Sequence, residues 1–136
     1  MSEQLFMLDT NTVSYLLRNQ DRAIKKRLQR EGIGSVCISA ITEAELRFGL
    51  RQNPANNRLG ELVNSFISRV DSLVWDSEAA RSYAVVRTLA KARGFTLSNM
   101  DMLIGAHAIA VGSTLITNDT AFSHLSEWIT VDNWIT

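Results

Sequence analysis

The feature that most constrains this chain is a recurrence. Short apolar runs appear along it, and several stop where a helix can start. Leu5-Phe-Met-Leu8 is one such run and ends at Asp9. Val36-Cys-Ile38, Ser72-Leu-Val-Trp75, Thr114-Leu-Ile-Thr117 and Ile129-Thr-Val131 are the others. Continuous apolar runs of this length suit strands that are buried on both faces. Helical stretches lie between them: Asn11 to Asn19, Asp21 to Arg30, Ile41 to Arg51, Leu59 to Val70, Ser77 to Arg93 and Asn99 to Val111. In the longest, Ala79, Tyr83, Val86 and Ala90 recur on one helical face, and Gly94 follows as a helix stop. Parallel strands need crossovers, and helices supply them. The expected architecture is therefore an α/β fold with three α/β/α layers around a short, mostly parallel sheet.

Length and composition bound what such a fold can do. At 136 residues the chain makes one domain, 1–136, with a core that needs no disulfide or structural metal. The single cysteine, Cys37, forms neither an intrachain disulfide nor a Cys-based zinc site. Within Ser35-Val-Cys-Ile-Ser39 it reads as a small buried hydrophobe. The first residues carry no basic, apolar leader pattern. Met102 to Ile116 is nearly apolar but contains His107 and falls short of the roughly 18–20 residues that cross a bilayer. The expected location is cytoplasmic, without a membrane partner. Pro54, in Gln52-Asn-Pro-Ala-Asn-Asn57, marks a loop between two helices.

The formal net charge is zero, with 14 basic and 14 acidic residues. That balance excludes a histone-like polycation and an acidic disordered tail. At first sight it also argues against a nucleic-acid partner. Position reverses that reading. Arg18, Arg22, Lys25, Lys26, Arg27 and Arg30 cluster against the single acid Asp21. Arg81, Arg87, Lys91 and Arg93 follow one another with no acid between them. From Gly94 onward there are acids and no Lys or Arg. Basic flanks able to hold phosphates are expected around an acidic centre.

Four carboxylates occupy comparable places. Asp9 ends the first strand, Glu45 lies early in the helix after the second, Asp101 opens its helix, and Asp119 follows Thr117 by two residues. In a parallel sheet, sites gather at the carboxyl ends of strands, so these acids can converge. Taken singly, each also reads as a helix cap or dipole partner. Ser98-Asn-Met-Asp101 and Thr42-Glu-Ala-Glu45 both fit a capping box. Taken together, converging carboxylates repel one another, and a hard cation such as Mg²⁺ or Mn²⁺ relieves that repulsion. Such ions polarise a phosphodiester and activate water. No phosphate-cradling Gly-rich loop and no convincing Ser-His-Asp set competes. His107, within Ile104-Gly-Ala-His-Ala-Ile109, reads as a packed, hydrogen-bonded histidine.

These residues resemble those of PIN-domain ribonucleases, in particular the VapC branch. Leu8-Asp-Thr-Asn-Thr12 resembles that family's opening strand and first acid. Ile38-Ser-Ala-Ile-Thr-Glu-Ala-Glu-Leu-Arg-Phe-Gly49 resembles its second motif, Asp101-Met-Leu-Ile-Gly-Ala-His-Ala108 its third, and Leu115-Ile-Thr-Asn-Asp-Thr-Ala-Phe122 its fourth. Val131-Asp-Asn-Trp134 is similar to the end of the VapC branch. The resemblance spans nearly the whole chain, in order. It implies an Mg²⁺-dependent (or Mn²⁺-dependent) endoribonuclease that is the toxin of a toxin–antitoxin pair and acts on RNA, tRNA or initiator tRNA among the substrates. It implies a homodimer, blocked by a VapB-type antitoxin through which alone operator DNA is reached. Asp9, Glu45, Asp101 and Asp119 match the family's acids, with Asp9 and Asp101 as metal ligands; Asn11 and Thr117 are supporting residues. Family members often carry Gly in place of Ser98 and Ala in place of Gly105, and the fourth acid varies most.

Helical geometry separates Glu45 from Glu43. Two residues along a helix rotate by about 200°, so both cannot face one site. Gly49 lies a turn beyond Glu45 and opens space beside it, and Glu43 is expected to be exposed. The apolar N-terminal helices, with Val13, Leu16, Leu17, Ile24 and Leu28, are expected to supply a groove for an antitoxin helix. Two other readings stand beside the nuclease. One is a phosphatase or receiver domain, for which Asn11 stands where a second Asp is needed and no Lys or Arg follows Arg93. The other is a non-catalytic PIN-like interaction module.

Overall fold

The computed structural model describes residues 4–19 and 22–135. Strand β1 is Phe6–Leu8, followed by α1 (Thr10–Asn19) and α2 (Arg22–Glu31). Strand β2 is Val36–Ser39, followed by α3 (Ala40–Gln52), α4 (Asn57–Arg69) and β3 (Asp71–Leu73). Then come α5 (Ser77–Arg93), α6 (Asn99–Val111), β4 (Thr114–Ile116) and β5 (Thr130–Asp132). Asp21, the expected first residue of the second helix, lies outside the described residues. Two short 3₁₀ turns, Ile33–Ser35 and Thr120–Leu125, were not foreseen from the sequence. Neither carries a periodic apolar pattern long enough to signal a helix.

The sheet order is β3-β2-β1-β4-β5, and every neighbouring pair is parallel. The expected sheet was mostly parallel; the observed one is wholly so. Its strands alternate sides, as a period of two requires. Phe6, Leu8, Val36, Ile38 and Ile116 face one core, shared with α1, α2 and α4. Met7, Cys37 and Leu115 face the other, shared with α5 and α6. This is the expected three-layer arrangement. After β3 the chain returns to the opposite side of β1, so the strand order switches between β1 and β4. A crevice forms at such a switch point, outside the carboxyl ends of the strands.

Particular side chains set the ends of the elements. Trp75 falls outside β3, because its Nε1 donates to the Leu103 carbonyl at 3.0 Å instead of extending the strand. Helix α4 starts before Leu59, since Asn56 accepts the Leu59 N–H at 3.0 Å. The Thr42–Glu45 capping box does not form. Ser39 caps α3 by accepting from the Ile41 N–H, which leaves Thr42 and Glu45 inside the helix. Ser98 caps α6 as expected and accepts from the Asp101 N–H. Cys37 is fully buried. Burial, with the Asp71 charge adding to it, pushes its thiol up to about 12. It is the inert residue expected.

Trp134 closes the sheet edge. Its ring lies 5.3 Å from that of Phe6, and the Arg27 guanidinium sits 4.9 Å above it. Arg27 also reaches Asp132 at 3.3 Å and Glu31 at 3.6 Å. This is a clasp between α2 and β5, so Arg27 is not available to grip a phosphate. Arg93 pairs with Glu127 and donates to the His124 carbonyl, and Arg81 pairs with Glu78. The basic flanks read from the sequence are therefore thinner in the fold. Arg18, Arg22, Lys26 and Arg30 remain exposed on the first, and Arg87 and Lys91 on the second. Glu31 and Glu78 stand just beyond the two basic runs in sequence, whereas Asp132 and Glu127 reach Arg27 and Arg93 only through tertiary structure.

Candidate active site

Four elements deliver the four acids to the crevice at the switch point. Asp9 follows β1 directly and is 3% exposed. Its backbone N–H donates to the Ile116 carbonyl at 3.0 Å, which pins the end of β1 to the end of β4. Its carboxylate accepts the Thr12 N–H at 2.8 Å. Asp119 follows β4 and accepts the Ala121 N–H at 2.9 Å. These two acids are thus helix caps, and the cap holds each carboxylate in place. Both readings of them coexist in one geometry.

Glu45 projects from α3 and is half-buried. The Thr10 hydroxyl donates to its Oε1 at 2.6 Å, and Thr10 in turn lies 3.2 Å from the Thr42 hydroxyl. Sequence reasoning missed Thr10. Its signal was its place next to Asp9, which puts it at the carboxyl end of β1 facing α3.

Asp101, in the first turn of α6, shows the convergence. Burial holds its carboxyl above the ordinary carboxylate value, against an opposing hydrogen bond from Ser98. The charges of Asp9, Asp119 and Glu45 push it further the same way. Asp101 therefore senses acids up to 92 positions away along the chain. Among the described residues, no three His, Cys, Asp or Glu side chains form a ready-made ion cage. The acids act on Asp101 through their charges without three of them grouping as ligands of one ion.

The two supporting residues are placed differently from each other. Asn11 is exposed and donates to Asn118 Oδ1 at 2.8 Å, so this bond goes to the neighbour of Asp119 and not to a carboxylate. Thr117 is buried and accepts the Asp119 N–H at 3.1 Å, which places Asp119 through its backbone. Glu43 points away, as the helical rotation demands, but it is half-buried and not exposed. Ser72 donates to it at 2.6 Å and Arg47 at 2.7 Å. Those two bonds, Ser72 first, hold its carboxyl below the ordinary value. A neighbouring strand, invisible in the helix pattern, supplied the partner.

His107 is the packed histidine expected. It is 1% exposed, and its Nδ1 lies 2.7 Å from Ser39 Oγ. Burial pushes its imidazole down, against the Asp76 charge and a hydrogen bond to the Val74 backbone. Since Ser39 caps α3, His107 ties α6 to the start of the helix that carries Glu45. Gly49 opens space as read: a Cβ there would meet nothing within 4 Å.

The expected groove exists with different walls. A cavity of about 550 Å³ is lined by Leu16, Leu17, Leu28, Ile33, Leu62 and Phe66, with Lys25 and Arg69 among its polar residues. Val13 and Ile24 are wholly buried and do not line it. They point to the sheet, while Ile33 and α4 complete the wall.

Comparison with known proteins follows from this geometry. The PIN domain model matches residues 6–127, which takes in all four acids. The chain belongs to the PIN-domain family. Within it the likeness is to VapC proteins. The VapC ribonuclease Y4jK of Sinorhizobium fredii is 39% identical, over 86% of this chain and 89% of that protein. The tRNA(fMet)-specific endonuclease VapC of Salmonella typhimurium is 31% identical, over 95% of this chain and 97% of that protein. Among solved structures, VapBC2 from Rickettsia felis bound to a promoter DNA fragment superposes with a TM-score of 0.88. The identity there is 26%, covering 96% of this chain and 99% of that one. The PIN fold and the VapC branch are those expected from the motifs. Among the described residues, no helix of this PIN domain is long and apolar enough to cross a membrane.

Proposed function

We propose that this chain is a metal-dependent endoribonuclease, the toxin of a VapBC-type pair, which hydrolyses phosphodiester bonds in RNA and thereby arrests translation and growth. The observation that carries the reading is the set of three acid charges acting on Asp101 at the switch point of a PIN fold. The relatives' names direct the substrate to RNA, and to initiator tRNA in particular.

The donor set suits Mg²⁺ or Mn²⁺. It offers carboxylate oxygens alone, and their mutual repulsion is what a hard dication relieves. Mg²⁺ is commonly held by one or two carboxylates, with waters and substrate phosphate completing its shell, so an open ring of acids fits it better than a closed cage. Asp9 and Asp101 are the ligands in this reading. Bound there, the ion would supply Lewis-acid polarisation of the phosphodiester and a lowered pKa for attacking water. Glu45, held by Thr10, completes the site, and Asp119 orients the attacking water or shares a second ion.

The groove of α1, α2 and α4 supports an antitoxin partner. Its apolar walls suit the apolar face of a helix, and its basic residues suit acidic flanks on the same segment. Operator DNA is then reached through the antitoxin, and the toxin itself pairs as a homodimer in the cytoplasm.

The test is to incubate the purified chain with total RNA and Mg²⁺ and map the new 5′ ends. Asp9→Asn is the better control, because Asn keeps the cap on the Thr12 N–H that Ala would remove. Cleavage at discrete sites by the parent and none by the variant is expected. Undiminished cleavage by a folded Asp9→Asn protein overturns the assignment. Steady phosphate release from small phosphoesters, with RNA left intact, would favour a phosphatase.

A further inference from the structure

We infer that the cleft beside Asp119 is a nucleobase subsite that favours a base with adjacent hydrogen-bond acceptors, guanine above the others. The inference rests on the endoribonuclease reading and deepens it. A concavity lies beside Glu45 and another beside Asp119. The one beside Glu45 and Gly49 is about 40 Å³, room for little more than a water. The one beside Asp119 is about 320 Å³, within the range of small-ligand pockets, which begins near ~300 Å³. A nucleoside next to a phosphate held at the acids has space on the Asp119 side and not on the Glu45 side.

The walls of the larger cleft suit a base. Val131, 39% exposed, gives an apolar contact. Asn118 and Asn133 flank it, and both amide oxygens are already occupied. Asn118 Oδ1 accepts from Asn11 at 2.8 Å, and Asn133 Oδ1 accepts from the Ile135 N–H at 2.9 Å. Those bonds orient each amide; its oxygen keeps one lone pair, and its NH₂ brings two donors to a ligand. Thr120 and Ser123 add hydroxyls within reach of a ribose.

Asp132 also lines the cleft but does not make it repel a nucleotide. Its carboxylate is engaged by Arg27 at 3.3 Å, Trp134 Nε1 at 3.2 Å and the Asn133 N–H at 2.8 Å. Two amide donors call for acceptors. Guanine carries O6 and N7 together on one edge. Adenine and cytosine place a donor amino group on that edge, and uracil offers a single carbonyl there; cytosine's own adjacent pair, O2 and N3, lies beside the glycosidic bond, where the ribose crowds it.

The test titrates the metal-free full chain with 5′-GMP, 5′-AMP, 5′-CMP and 5′-UMP, reading backbone amide shifts by NMR. GMP is expected to move Ser123, Val131 and Asn133, with an affinity at least about fivefold above the other three. Asn133→Ser keeps an acceptor for the Ile135 N–H and removes the NH₂; it should abolish that preference. Mapped cleavage sites should carry a guanine at one fixed flank, and Asn133→Ser should relax it while cutting continues. Shifts confined to other faces, equal affinity for all four nucleotides, or an unchanged preference in a folded Asn133→Ser protein each overturn the subsite. If GMP occupies the cleft and no RNA is cut, the nuclease reading fails and the subsite stands. If RNA is cut and GMP ignores the cleft, the reverse holds.

Discussion

Thr10 donates its hydroxyl to Glu45 at 2.6 Å, from the residue directly after Asp9. One turn of chain therefore contributes an acid to the crevice and fixes a second acid carried by another element. Thr10→Val should leave the fold intact and lower RNA cleavage by roughly 10–100-fold, the size of loss seen when a residue of a metal site loses the partner that orients it. Thr10→Ser should restore most of it. Mn²⁺ affinity, measured by calorimetry, should fall with the Val variant and recover with the Ser variant. Equal cleavage by all three proteins would show that Glu45 needs no such support.

Asp101 is held above the ordinary carboxylate value by burial and by three neighbouring acids. The folded state thus disfavours its charge. This cost is absent at a pH below the ordinary carboxylate value, where both folded and unfolded forms are protonated. It grows as pH rises through the raised value and persists at neutral pH. Asp101→Asn should therefore raise the melting temperature at pH 7, and the gain should vanish on acidification. It should also lower cleavage by at least about a hundredfold, more than an outer-shell loss would. Mg²⁺ should stabilise the parent protein more than the variant. A melting temperature that falls at pH 7 would contradict the crowding of charges at this position.

Gly105 lies under the Phe122 ring: a Cβ added there would stand 2.7 Å from Phe122 Cε1. Phe122 is 1% exposed and has little room to yield. Overpacking of this kind costs about 1–3 kcal/mol, and the gain in helix propensity returns up to about 1 kcal/mol. Gly105→Ala should destabilise by about 1 kcal/mol net, measured by urea denaturation. Phe122→Leu added to it should recover stability relative to Phe122→Leu alone. The Phe122 ring fills the space that a methyl at this position would take.

Glu43 and Glu45 stand two residues apart with opposite duties. Glu43 is bonded to Ser72 and Arg47, and these bonds hold its carboxyl low. Its contribution to stability is present above the ordinary carboxylate value and is lost as pH falls through the lowered one. Glu43→Gln should cost of order 1 kcal/mol or less at pH 7, in keeping with a partly exposed ion pair, and nothing in acid. Its cleavage rate should stay within about twofold of the parent, whereas Glu45→Gln should lose at least about tenfold. The two rates, read side by side, assign the acid that serves the site.

The sequence by itself determined the order of strands and helices along the chain, their faces, and the places from which Asp9, Glu45 and Asp119 come to act on Asp101. Local patterns carry that information. The alternation of Phe6, Met7 and Leu8 between two cores follows from strand geometry, and the spacing of Ala79, Tyr83, Val86 and Ala90 from helix geometry. The ends of Ser77–Arg93 and Asn99–Val111 match the reading to the residue; Gly94 and Ser98 signalled two of them, and Asp76 and Gly112 supply the other two caps in the structure. Tertiary structure decided which polar side chains meet. Thr10 found Glu45, Ser72 found Glu43, and Arg27 found Asp132, each between residues that no periodicity relates. It also decided that Val13 and Ile24 belong to the core while Ile33 and Phe66 line the groove. A side chain's type sets what it can bond. Its partner is set by the packing of distant elements, which a linear pattern does not record.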